Sequence, residues 1–448
     1  MNTEHSYFTY AWVSFAHNHL YYRKFRIVRK TKAPVDKSKR YVIIVSNHQN
    51  SLNDAMGMVM AENGTKVWFL ARADVFKSKI ASFFLNIYGV LPVYRVRDGL
   101  SNVKNNLEIF DNVEQMAIRH CPIAIFPEAK HQNRHYLGPF YLSYTRLAFS
   151  IAERLEFKED VYILPMANHY SDYFSLRPDL LMTVGEYISL KPYYELYKQN
   201  PRLAQNELNE KVRTSVSQMM LDIQEEEHYQ DIYDLLSCYG VDYAVKQGVN
   251  PDDMYQKLGS DKQIVAKMEA EKLRNESNFE HLCQLSHDYG SLLSSAKIND
   301  KSVRKVRGIS FLVLQTILLL LLFPVALAGW MHHAVAYLIP KYLSRNMKDK
   351  FMRPSVDLVV TIAITLPLTY IGFAILYGTV FHCWWIGLLS CPVIMLSGLL
   401  ADEWMRACKQ WLRGIRVQRM KIRRQRQWEQ LLKVRKQLVS DMNTLMES

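Results

Sequence analysis

The sequence predicts an α/β fold, a mixed sheet flanked by helices, that carries a helical insert and C-terminal transmembrane helices. Three observations predict it. Short apolar runs alternate with longer helix-compatible stretches from residue 36 to about 190, a charged and helix-patterned region follows at 191–300, and two long apolar stretches occupy 309–339 and 358–400. A sheet covered by helices requires that alternation. An apolar stretch of about 20 residues is long enough to cross a hydrocarbon core of roughly 30 Å.

The N-terminal segment, 1–35, groups Tyr7, Phe8, Tyr10, Trp12 and Phe15 ahead of Tyr21, Tyr22, Arg23, Lys24 and Arg26. It reads as a helix that either lies at a membrane interface or packs on the core. It lacks the basic start, unbroken apolar run and small-residue cleavage site of a signal peptide. In 36–190 the strand candidates are 41–45, 67–71, 90–94, 123–126 and 162–166. Between the third and fourth, Val103, Leu107, Phe110, Val113 and Met116 recur at the spacing of three and four that an amphipathic helix needs. In 191–300, Leu208, Val212, Val216, Met219, Met220 and Ile223 form an apolar stripe without any catalytic constellation, so this region reads as a helical addition.

The membrane region spans 301–400. Residues 309–339 are too many for one upright crossing, and Pro324 and Gly329 interrupt them, so a kinked span or a hairpin turning near Pro324 is expected. The second stretch divides into helices at 358–377 and 382–400. Basic clusters flank every boundary: Lys301, Arg304, Lys305 and Arg307, then Lys341, Arg345, Lys348, Lys350 and Arg353, then the run from Arg406. The tendency of cations to stay on the cytoplasmic side favours the hairpin, which keeps all three clusters on that face. Three crossings, with one cluster on the far side, are the alternative.

The formal net charge of +13 is concentrated, because residues 403–448 hold twelve Lys/Arg against four Asp/Glu. Trp411, Leu412, Ile415, Ile422, Trp428, Leu431 and Leu432 alternate with those cations, so 401–448 reads as a basic amphipathic tail suited to anionic lipid. No nucleic-acid recognition module accompanies the charge, and no nucleic-acid partner is expected. The six cysteines show no Cys-x-x-Cys spacing, which fits a reducing compartment and provides no thiolate metal site.

The chemistry-bearing residues gather at strand ends. The first strand runs into Asn47 and His48, and Asp54 follows after five intervening residues. A histidine held at a strand mouth is placed to act as a general base, and a carboxylate on its second ring nitrogen fixes the tautomer and stabilises the imidazolium. A hydroxyl acceptor needs such a base, since an alcohol is a weak nucleophile until its proton is taken. Further on, the segment from Gly89 ends in Arg95, Phe126-Pro127-Glu128 ends another strand, and Ile163-Leu164-Pro165 ends a third.

Taken in order, these segments resemble the four sequence blocks of the glycerolipid acyltransferase superfamily, from about Arg26 to Leu190, with Thr183-Val184-Gly185 trailing. The resemblance implies an α/β acyltransferase core and a single-step transfer from acyl-CoA or acyl-carrier protein to a glycerol phosphate or lysophosphatidic acid hydroxyl. In it His48 is the base, Asp54 its partner, and Arg95 and Glu128 bind the glycerol phosphate. Arg72, Lys130 and Arg146 are further cationic candidates for the substrate, an arginine being suited to bidentate phosphate contact. Four residues usually separate histidine and aspartate in the family, and that register falls here on Asn53. A neutral amide stabilises an imidazolium less than a carboxylate does, so Asp54 is the expected partner, with the extra residue absorbed in the turn before the helix.

His131, His135 and His169 do not sit in a His-Glu-x-x-His helix, so no metal is expected. No Gly-rich phosphate loop is present, and no cofactor is expected beyond the acyl donor. His332 and His333 lie inside an apolar stretch, where ionisable residues ask for a functional reason; a headgroup boundary is the simpler reading. The expected setting is phospholipid biosynthesis at the cytoplasmic (inner) membrane, with the catalytic domain facing the cytoplasm. Another lipid acceptor, amino-lipid or ornithine-type, is the alternative within enzymes, and a non-catalytic lipid-binding membrane protein the alternative outside them.

Overall fold

The computed structural model describes residues 27–30, 36, 38–61, 67–73, 76, 79–93, 111–128, 133–173, 178–347, 350 and 352–448. The chain divides into two compact units, one ending at Asp222 and including 346–359, the other made of 223–345 and 360–448.

The first unit is built on a sheet whose strands among the described residues are β1 (Ile27–Lys30), β2 (Tyr41–Ser46), β3 (Trp68–Arg72), β4 (Val90–Val93), β5 (Ile123–Ile125), β6 (Val161–Tyr170), β7 (Asp179–Val184) and β8 (Ile188–Ser189). They are ordered β1-β7-β6-β2-β5-β3-β4, with β8 on β6. The pairs β2/β5, β2/β6, β3/β4 and β3/β5 are parallel, while β7 runs antiparallel to β6. All six residues of β2 are buried, as a central parallel strand covered on both faces demands, and its Val-Ile-Ile-Val run suits that setting. The five expected strands are present. The sheet extends further than the apolar runs indicate, because β1 and β7 pair in parallel beyond them. Residues 27–30 are therefore strand where the N-terminal reading expected helix, and residues 1–26 lie outside the described residues.

The helices of this unit include α1 (Leu52–Ala61), α2 (Lys79–Ile87), α3 (Ser143–Arg154), α4 (Tyr194–Gln199) and α5 (Pro201–Met219). Residues 111–118 are helical as the spacing predicts. On α5, Ala204, Leu208, Val212 and Val216 are fully buried and join the core cluster of the sheet. Asn200 caps this helix, its side chain accepting from Leu203 N–H, and Pro201 opens it. This corrects the expected boundary at 190: the apolar stripe covers the sheet, so the first unit continues to Asp222.

The second unit contains α6 (Tyr229–Lys246), α7 (Met254–Arg274), α8 (Glu276–Ala296), α9 (Asp300–Arg304), α10 (Ile309–Ser344), α11 (Arg353–Val360, shared with the first unit), α12 (Leu366–Val380), α13 (Trp384–Arg423) and α14 (Gln425–Glu447). Trp428, Leu431, Leu438, Met442 and Leu445 of α14 are buried, and Tyr239 donates to Asn443 at 3.1 Å. Arg435 pins the same helix to Asp300 and Asp242 at 2.8 and 2.7 Å. The apolar face of α14 thus packs on α6–α8 within its own unit, while Leu412, Ile415, Ile422 and Leu432 of the basic tail stay exposed.

α10 and α13 are each long and apolar enough to cross a membrane, and α10 leaves Phe311, Leu314, Leu318, Leu321 and Val325 exposed. The expected hairpin at Pro324 does not form, since α10 is one continuous helix through it. At about 1.5 Å per residue its 36 residues reach roughly 54 Å. It packs against α13 on both sides of the proline. Trp411 Nε1 donates to Leu312 O, Trp404 Nε1 to Leu319 O, and Gly329 lies against Ser397. These pairs run in opposite order, so α10 and α13 are antiparallel. α12, with the π-helical turn Thr361–Thr365 ahead of it, bonds α10 between His332 and Ala336, through Tyr377, Tyr370 and Thr365.

Candidate active site

Because β2, β5 and β6 are parallel, their C-terminal ends share one sheet edge, where α/β folds place their reacting groups. β2 delivers Asn47 and His48 there. Asn47 is locked to β6 by a reciprocal pair with the Asn168 backbone, Nδ2 to O at 2.9 Å and N to Oδ1 at 2.8 Å. The His48 imidazole stacks on Phe126 with ring centroids 4.8 Å apart.

Asp54 sits in the first turn of α1, where a negative charge meets the helix N-terminus favourably. Its Oδ2 lies 3.0 Å from His48 Nδ1 and accepts Asn50 N–H at 2.8 Å, while Oδ1 accepts the Tyr170 hydroxyl at 2.8 Å. The Asp54 side chain is fully buried and that of His48 is 21% exposed. The extra residue between them is absorbed at Ser51, whose φ of 52° is left-handed and turns the chain before α1 begins. Asn53 Nδ2 donates to Asn50 Oδ1 instead.

Glu128 stands beside His48 with both carboxylate oxygens bonded to backbone. One carboxylate oxygen accepts His48 N–H at 2.6 Å and the other accepts Gly138 N–H at 2.9 Å. The carboxylate therefore ties the His48 backbone to the loop after β5. Gly138 is needed for that approach, since a Cβ there would stand 3.0 Å from Glu128 Oε2. Burial pushes the Glu128 carboxyl up to about 7, against the two backbone N–H bonds and His48, which lower it.

The remaining candidates divide. Arg72 ends β3 at the same sheet edge. Arg95 and Lys130 lie outside the described residues. Arg146 is exposed on α3, and among the described contacts none joins it to His48, Asp54 or Glu128. His135 and His169 are adjacent, with ring centroids 4.9 Å apart, and Tyr173 bridges His135 to Gln49. His131 lies outside the described residues; among those described no group of three or more His, Cys, Asp or Glu is arranged to hold a metal. Tyr170 and Gly138 were missed in the sequence. The signal for Tyr170 is Asn168-His169-Tyr170, polar residues closing an apolar strand at the edge that carries His48.

Residues 24–169 match the family model described as Acyltransferase, and this segment contains the whole His48–Asp54–Glu128 group. That segment is matched as an acyltransferase domain. The acyltransferase domain is also similar to a solved structure described as the 1-acyl-sn-glycerophosphate (LPA) acyltransferase, PlsC, from Thermotoga maritima. That likeness has 13% sequence identity and a TM-score of 0.33 over 46% of this chain and 78% of the other. No curated protein sequence matches the chain significantly. Within the acyltransferase domain, the paired imidazole and carboxylate can take a proton from an approaching hydroxyl and return it to a leaving group.

Proposed function

We propose that the chain is a membrane-bound O-acyltransferase of phospholipid biosynthesis. It moves a fatty acyl group from acyl-CoA or acyl-carrier protein to the hydroxyl of glycerol phosphate or lysophosphatidic acid, without a further cofactor. The observation that carries this reading is the 3.0 Å contact of His48 Nδ1 with a fully buried Asp54 at the mouth of a central strand. Asp54 accepts the Nδ1 proton, so Nε2 takes the proton of the acceptor hydroxyl as its oxygen attacks the thioester carbonyl. Collapse of the tetrahedral adduct breaks the carbon–sulfur bond, and the imidazolium returns its proton to the departing thiolate. Glu128 keeps the His48 backbone in place during these steps, and Arg72 and Arg95 offer cations to the acceptor phosphate.

Membrane attachment rests on α10 and α13. Their antiparallel pairing puts Lys301–Arg307 and the basic run from Arg406 at one end, which supports a cytoplasmic placement of that end.

The test is acyl transfer by the full-length protein in detergent, with both donors and with glycerol 3-phosphate, lysophosphatidic acid and amino-lipid acceptors. A glycerophosphate acceptor should be acylated, and His48→Ala should lower the rate about 10²- to 10⁴-fold. Transfer only to amino-lipids, or equal transfer by His48→Ala, overturns the reading.

A further inference from the structure

Where α10 leaves the helical bundle, the second unit contains a cleft of about 100 Å³ lined by Lys301, Ser302, Lys305, Arg307, Gln410 and Arg413, with no carboxylate in its wall. Gly414 also borders it and lets α13 pass close to α10, since a Cβ there would meet Leu312 Cδ2 at 2.8 Å.

The cations are not consumed by the fold. Arg307 is oriented by neutral amides, donating to Gln315 Oε1 at 2.8 Å and Gln410 Oε1 at 2.9 Å, and it lies over the Phe311 ring. Those contacts fix the guanidinium without cancelling its charge. The ion pair of Lys301 is with Asp252 at 3.6 Å, both side chains being mostly exposed, a geometry that contributes little. Among the described residues neither Lys305 nor Arg413 is paired with a carboxylate. The nearest acid in sequence, Asp300, is engaged by Arg304 and Arg435.

We propose that this cleft binds the phosphate of an anionic phospholipid. Four cations lining one cleft beside an amide donor match a phosphate group. The lipid source follows from what stands beside the cleft. α10 begins two residues after Arg307, and Ile309, Phe311, Val313 and Leu314 are exposed there. A lipid phosphate in the cleft lays its acyl chains on that apolar surface, whereas free phosphate leaves it uncovered. Basic pockets at the ends of membrane helices hold lipid headgroups through this combination of charge and apolar wall. The site is independent of the acyl-transfer reading, and its test uses a lipid that is neither acceptor nor product of that reaction.

The experiment measures binding of dioctanoyl phosphatidylglycerol to the full-length protein in neutral detergent, with dioctanoyl phosphatidylcholine and inorganic phosphate as comparisons. Wild type should bind phosphatidylglycerol saturably, more weakly as salt rises, and phosphatidylcholine at least tenfold more weakly. Lys305→Gln with Arg413→Gln should weaken phosphatidylglycerol binding at least tenfold at an unchanged thermal midpoint. Should that pair lower the midpoint, Lys301→Gln with Lys305→Gln, at two exposed lysines, provides the same reading. Unchanged binding in a folded double variant overturns the site. Displacement by inorganic phosphate at the same concentration as the lipid overturns the lipid as its occupant.

Discussion

At the residue scale the Asp54 cradle makes the sharpest demand. Asp54 takes three donors from three places in the chain, His48, Asn50 and Tyr170. Asp54→Asn leaves an amide that cannot favour the imidazolium and should lower kcat about 100-fold or more, while Asn53→Ala should be mild because Asn53 bonds to Asn50. Tyr170→Phe removes a hydrogen bond to a buried carboxylate, worth about 1.5–3 kcal/mol. As a positioning change it should lower kcat about tenfold with KM unmoved; an effect confined to KM would contradict it. Glu128 gives a pH-dependent prediction. Its folded value of about 7 lies above the ordinary carboxyl value of 4.5, so between those values the folded state holds a proton that the unfolded state has released. Stability from this group is complete below about pH 4.5 and declines as pH rises to about 7, by about 3 kcal/mol. Thermal midpoints across pH 4.5–7 should therefore fall more steeply in wild type than in Glu128→Gln. The variant should also lose activity at every pH, since an amide cannot accept from both His48 and Gly138. His48, Asp54 and Glu128 were legible because motif spacing carries them. Tyr170 and Gly138 were not, since their meaning depends on parallel strands aligning ends more than a hundred residues apart in the first case, and on a close backbone approach in the second.

At the element scale, period and length were enough for the five expected strands and for the helix that includes 111–118. They were not enough for β1 and β7, whose pairing lies at the sheet margin. The stripe on α5 was read correctly as apolar, yet periodicity does not say which surface it covers, and the sheet is what it covers. Pro324 was misread for a related reason. A proline breaks a helix that has only its own hydrogen bonds, but neighbouring helices tolerate it within an apolar bundle. Close approach of α10 and α13 at Gly329 is the device here, since a Cβ at that position would lie 2.3 Å from Ser397 O. Gly329→Val should force the helices apart, at a cost of about 1–3 kcal/mol, and lower the thermal midpoint in detergent. Gly372→Ala is the matched comparison on α12, where a Cβ meets nothing within 4 Å, and it should leave the midpoint where it is.

At the scale of the whole molecule, the placement of the basic clusters is the point on which sequence and structure part. Charge alone favoured all three clusters on one face, and a hairpin at Pro324 was the only way to obtain that. A continuous α10 instead puts Lys301–Arg307 and the loop after Ser344 at opposite ends of one helix. The twelve cations of 403–448 join the first of these ends through the pairing of Trp411 with Leu312 and of Gln418 with Arg307. The larger positive charge is thus collected at one end of α10, with Lys341 and Arg345 at the other, and in a spanning helix the majority charge decides orientation. Single cysteines introduced at Arg424 and at Asn346, in a background lacking the natural cysteines and held in sealed vesicles, read this directly. An impermeant maleimide should reach the two positions from opposite faces. Labelling of both from one face would restore the hairpin and remove the antiparallel crossing of α10 and α13.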